Sequence, residues 1–138
     1  MDSVKVIVKQ TVSSSIEKVW CCWTSENDIL KWNYASEDWH TTKVENDLKD
    51  GGVFSYRMEA KDGSFGFDFG GVYDEVSVFE SIKYTLGDGR KVSIYFSSNG
   101  QETIIVQEFD AEKINPVELQ QNGWQAILNN FKKYVESI

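Results

Sequence analysis

The stretch NPVELQQNGWQAILNNFKKYVESI, residues 115–138, reads as one long amphipathic helix at the end of the chain. Val117, Trp124, Ile127, Leu128, Phe131, Val135 and Ile138 recur every three or four positions, which places them on one helical face. Trp124 and Phe131 make that face wide and aromatic. Asn115 is expected to cap the helix, Pro116 suits its first turn, and Glu118 sits near the positive end of the dipole. Gly123 costs the helix about 1 kcal/mol relative to alanine, which points either to a close approach or to room needed by its neighbour Trp124. A face of this width requires a sheet to cover it, and it either closes a core or also walls a cavity for a ligand.

The sheet is legible upstream. Four turn signals, Asp50-Gly51-Gly52, Asp62-Gly63, Gly87-Asp88-Gly89 and Asn99-Gly100, supply the positive φ that tight hairpins demand. Between them strands are predicted at 41–48, 53–60, 65–76, 82–86, 91–97 and 102–109, joined mostly by short hairpins and therefore antiparallel. Alternation of Val4, Val6 and Val8 with Lys5, Ile7 and Lys9 adds a first strand running to about Val12, which makes seven. Phe54, Tyr56 and Met58 share one side of their strand, Phe65, Phe67 and Phe69 one side of the next, and Ile82, Tyr84 and Leu86 are expected to face inward too. Thr103, Ile104, Ile105 and Val106 are apolar on both sides, so the inner face of the last strand stays open.

Between the first strand and the rest lie two short helices. Ser14 is expected to cap the first through the amide of Glu17, with the Glu17 carboxylate reaching back, and Val19, Trp20 and Trp23 form its stripe. A second piece over 27–32 carries Ile29, Leu30 and Trp32. The whole is an α+β order of strand, two helices, six strands and a long helix, expected to form a single domain over 1–138.

Composition limits the functions. A net charge of −8 argues against nucleic acid, which is held through clustered Lys and Arg. Cys21 and Cys22 are adjacent, read as free and mostly packed thiols, and suit a reducing compartment. With no apolar segment of signal-peptide or membrane-spanning length, the expectation is a cytoplasmic protein without membrane insertion.

Finer residue matches carry a resemblance. Val19-Trp20, Thr24, Leu30-Lys31-Trp32 and the run ENDLKDGGVF at 45–54, followed by GVYDEV at 71–76, IKYT at 82–85, Thr103 with Phe109, and Gly123-Trp124 with Leu128 and Tyr134, resemble the family named after the activator of the heat-shock-protein-90 ATPase, within the START-like (SRPBCC) superfamily. The likeness covers nearly the whole chain. Ser15, Glu26 and Val78 stand where the family usually has proline, and Lys49 where arginine is common. The resemblance implies a helix-grip fold, a curved seven-stranded antiparallel sheet wrapped around the terminal helix, with an apolar cavity between them for a hydrophobic or amphipathic small molecule. By resemblance its walls are Phe54, Tyr56, Met58, Phe67, Phe69 and Tyr84 from the sheet and Trp124, Leu128 and Phe131 from the helix, with Trp32 near the mouth. The family's name also implies a chaperone or other protein partner, although eukaryotic activators carry a further N-terminal domain.

Reaction chemistry is thinly represented. His40, the only histidine, is expected in a solvated loop, so no cofactor or histidine-based metal site is anticipated. Gly70-Gly71 is too short for a phosphate loop. Glu108 and Glu75 become candidate acids or bases only if they face the cavity. Tyr56, Tyr73 and Tyr84 offer hydroxyls that orient a ligand's polar end. Related START-like proteins include polyketide cyclases and dehydratases, which makes catalysis the alternative to binding.

Overall fold

The computed structural model describes residues 4–138, so the Met-Asp-Ser that begins the expected domain lies outside the described residues. Strand β1 (Lys5–Val12) leads into α1 (Ile16–Thr24) and α2 (Glu26–Trp32), and six strands follow: β2 (Trp39–Asn46), β3 (Val53–Ala60), β4 (Gly66–Ser77), β5 (Ser81–Leu86), β6 (Lys91–Ser98) and β7 (Thr103–Asp110). Helix α3 (Val117–Glu136) completes the chain. The sheet has the order β1-β7-β6-β5-β4-β3-β2 and every neighbouring pair is antiparallel. This is the helix-grip architecture.

Bends in the sheet have local causes. Register shifts between Thr41 and Lys43 and between Tyr73 and Glu75 kink β2 and β4. At Gly71 a Cβ would stand 2.1 Å from the carbonyl oxygen of Thr85, so only glycine lets β4 and β5 approach this closely.

The cap positions differ from expectation. Ser15, not Ser14, caps α1, its hydroxyl accepting from the Lys18 amide at 3.2 Å. Three consecutive serines give the same local signal, and the exit of β1 decides which one meets the helix. At α3 the cap residue is Pro116, without a side-chain cap bond, because the Asn115 side chain donates to Glu112 Oε1 at 2.6 Å instead. Gln120 braces the same loop, accepting from the Glu112 amide and donating to the Asn115 carbonyl, both at 2.8 Å.

α3 rests against β1, α1 and α2. Along β1 it does more than bury Leu128, Phe131 and Val135. Gln121 and Gln125 donate to the carbonyls of Ile7 and Lys9, and Lys132 to that of Thr11 at 2.7 Å, so polar side chains satisfy the free edge of β1 and shield it from a second strand. Tyr134 donates to Asp28 and Asn130 to the Tyr34 carbonyl, which ties the helix to α2 and the loop after it. The hydrogen bond to Asp28 raises the Tyr134 phenol to about 12.

Two other expectations are corrected. Cys22 is buried, and desolvation lifts its thiol to about 11, whereas Cys21 is exposed on the outer face of α1. His40 is half-buried within β2 rather than in a loop.

Candidate functional site

Around Phe131, where the three helices meet β6, the interior is close-packed. Trp23 lies edge-on to Phe96 and Phe131 at 5.7 and 4.8 Å between ring centres, and Trp32 lies 4.8 Å from Phe131. Over β3, β4 and β5 the only large α3 side chains are Trp124 and Ile127, and between them and the sheet remains a cavity of about 160 Å³. A space of that order (about 150 Å³) holds one benzene-sized ring.

Its walls are mostly aromatic. Tyr56, Met58, Phe69 and Tyr84 project from the sheet, Trp124 from α3, and Trp23 and Trp32 from the short helices. Trp124 is fixed by stacking on Phe109 at 3.9 Å with nearly parallel planes, and Phe69 meets it edge-on at 5.9 Å. A second, more open groove of about 360 Å³ runs between the loop after α2, β3, β4 and the first turns of α3, and shares Met58, Phe67, Trp124 and Ile127 with the cavity. These four side chains separate an inner chamber from its approach.

Seven of the side chains named from resemblance border the cavity: Trp32, Tyr56, Met58, Phe67, Phe69, Tyr84 and Trp124. Phe54, Leu128 and Phe131 do not, being at most 2% exposed and locked among other rings and helices. Phe54 fills the gap between Tyr73 and Tyr84 at 5.0 and 4.7 Å, so periodicity found the correct face but not the depth. Trp32 is not at a mouth. It is buried, with its indole nitrogen donating to the Cys22 carbonyl at 2.9 Å, and the groove is bordered instead by Trp39.

The three phenyl rings predicted to face inward form a gradient. Phe69 stands in the wall, Phe67 at the rim is 40% exposed, and Phe65, before the strand begins, is 62% exposed and leans on Trp39. β4 extends beyond the cover that α3 provides. Gly123 has no close neighbour, since a Cβ there would meet nothing within 4 Å. It borders the open groove, and the expected close approach is not found.

Polar groups converge on the chamber. The phenols of Tyr56, Tyr73 and Tyr84 are all raised far above their ordinary value by burial and remain protonated donors. Tyr56 lies against Tyr73, whose hydroxyl donates to Asn46. From β7 comes Gln107, which the sequence reading missed. Its signal was parity with Phe109, whose inward side chain puts Ile105 and Gln107 on the same face.

Neither candidate acid reaches this space. Glu108 alternates with Gln107 and lies on the outer face of β7, and Glu75 is solvent-exposed, 3.9 Å from Lys83. Among the described residues no group of three or more His, Cys, Asp or Glu side chains is placed to hold a metal ion, and no helix is long and apolar enough to cross a membrane.

A family model described as Activator of Hsp90 ATPase homolog 1-like protein matches residues 13–136. The AHSA1-like protein from Aeromonas hydrophila is similar, with 42% identity over 97% of this chain and 93% of that one and a TM-score of 0.91. A protein from Cytophaga hutchinsonii is 56% identical over 96% of this chain and 92% of its own, with a TM-score of 0.84. A Chromobacterium violaceum protein, 21% identical over 96% and 98% with a TM-score of 0.87, shares the fold. No curated protein matches the chain.

Proposed function

This chain belongs to the Activator of Hsp90 ATPase homolog 1-like family, and from that premise we propose that it is a binding protein for a small hydrophobic or amphipathic molecule held between the curved sheet and α3. The chamber of about 160 Å³ under Trp124 and Ile127 carries the reading. A well-packed interior leaves few voids larger than a water molecule, so an aromatic-lined space joined to an open groove is a place for a guest. Trp32, Tyr56, Met58, Phe67, Phe69, Tyr84 and Trp124 are the binding residues on this reading, with Tyr73 and Gln107 added. With Glu75 and Glu108 facing away, the chamber offers shape and hydrogen bonds rather than an acid–base pair. Free Cys21 and Cys22 suit work in a reducing compartment such as the cytoplasm.

Native mass spectrometry of the freshly purified protein is the test. The expected result is added mass that leaves on denaturation and is identified in the extract as one apolar compound. A bare chain that also shows no chemical-shift response to small aromatic probes overturns the proposal. In that case the chaperone regulation named in the family's description becomes the reading to measure, as stimulation of a purified Hsp90 ATPase.

A further inference from the structure

Gln107 is 7% exposed and sits mid-strand on the inner face of β7, a position that Leu or Ile would ordinarily fill. Its side-chain amide has no hydrogen-bond partner among the described residues. The contrast with Gln120 is direct: that residue, equally buried, spends both ends of its amide on the loop before α3. Asn33 and Thr41 bond each other, and Thr103 donates to the Ser14 carbonyl. Among the described residues no fully enclosed side-chain nitrogen or oxygen lacks a partner. An unpartnered Gln107 amide must therefore open onto the chamber it lines. Tyr84, also 7% exposed and also lining the chamber, has a hydroxyl in the same condition.

Among the described residues no Asp, Glu, Lys, Arg or His borders the chamber. An ionised guest would lose its water and meet no opposite charge, whereas a buried amide facing a void gains most from a neutral group that both donates and accepts. We propose that the chamber selects an uncharged molecule bearing a hydroxyl or amide group, read by the Gln107 side chain together with the Tyr84 hydroxyl. This rests on the ligand-binding reading and specifies its ligand class. The polar group sits inside and the apolar remainder points toward the groove past Phe67 and Ile127.

The experiment is a titration of the full chain, followed by amide chemical shifts, with three probes of nearly one shape: ethylbenzene, benzyl alcohol and benzoate. Benzyl alcohol and ethylbenzene are expected to bind, and benzoate not. In Gln107→Met, which keeps the chain length and removes the amide, benzyl alcohol should weaken roughly tenfold while ethylbenzene binds as well or better. Tyr84→Phe, which deletes a single oxygen, should shift the preference in the same direction and serves if Gln107→Met does not fold. If ethylbenzene binds and the preference is unchanged in these variants, the amide serves only an ordered water, and this inference falls while the binding reading stands. Benzoate binding as tightly as benzyl alcohol also overturns it. If neither neutral probe binds the wild-type protein this inference falls, and the binding reading falls with it only where native mass spectrometry also finds a bare chain.

Discussion

Two regions of the interior are equally aromatic, yet the one around Phe131 is close-packed, while the one under Trp124, between α3 and the inner faces of β3, β4 and β5, retains a chamber that Ile94 of β6 and Gln107 of β7 also border. Around Phe131 the rings of Trp23, Trp32 and Phe96 interlock at 4.8 to 5.7 Å, with Trp23 and Trp32 also forming one wall of the chamber. Over the chamber, α3 contributes Trp124 and Ile127 and then Gly123, beyond which lies the groove. Aromatic content is therefore a poor guide to whether a space is filled. What decides it is whether the side chains of the converging elements reach one another.

The two regions should respond oppositely to substitution. Phe131→Ala in the packed region should cost about 3–5 kcal/mol, since a fully buried ring in edge contact with Trp23 and Trp32 is removed. Urea denaturation measures this, and a loss below about 1.5 kcal/mol would mean that the packed region is looser than its ring distances indicate. In the open region, Gly123→Ala should instead raise stability by up to about 1 kcal/mol, because the helix gains a better former and the new methyl meets nothing. A destabilised Gly123→Ala would show the groove to be occupied.

The fastening of β1 to its neighbours is pH-dependent. Asp110 accepts from Lys5 and, at 2.8 Å, from the Lys91 amide; burial works against its charge, but these bonds hold its carboxyl below the usual range. A depressed carboxylate stabilises the fold above the unfolded pKa of about 3.9 and loses that contribution as pH falls through the lower folded value. Asp110→Asn should thus cost about 1 kcal/mol at neutral pH, a modest figure because the Lys5 side chain is 51% exposed and its charge is screened. The difference from wild type should close in acid, and urea midpoints at two pH values read it. A gap that persists at low pH would assign the loss to packing instead.

Phe67→Trp should have the smallest effect on stability, within about 0.5 kcal/mol, because the ring is 40% exposed at the rim. Its effect on ligand entry should be large. Ethylbenzene affinity measured by the same amide shifts should fall in this variant, and unchanged affinity would place the guest outside the space that Phe67 borders.

The strands were legible because glycine-containing turns and period-two alternation are local signals, and each observed strand ends within two residues of its predicted limits. The inner faces of β3 and β5 followed from the same alternation. Depth was not legible. Phe54 and Tyr56 share parity, but only Tyr56 borders the chamber; Leu128 and Ile127 adjoin in sequence, but only Ile127 does. Cap identities failed for a related reason, since Ser14 against Ser15, or Asn115 against Pro116, depends on where the preceding chain arrives.

The sequence by itself determined the order of the elements, the antiparallel sheet and the apolar face of α3, because each follows from periodicity and turn chemistry within a few residues. The tertiary structure alone decided that Gln107 is buried without a partner among the described residues, that Glu108 points away from it, and that the rings under Trp124 stop short of closing. Such properties belong to the distances between elements far apart in the chain, and no local pattern encodes those distances.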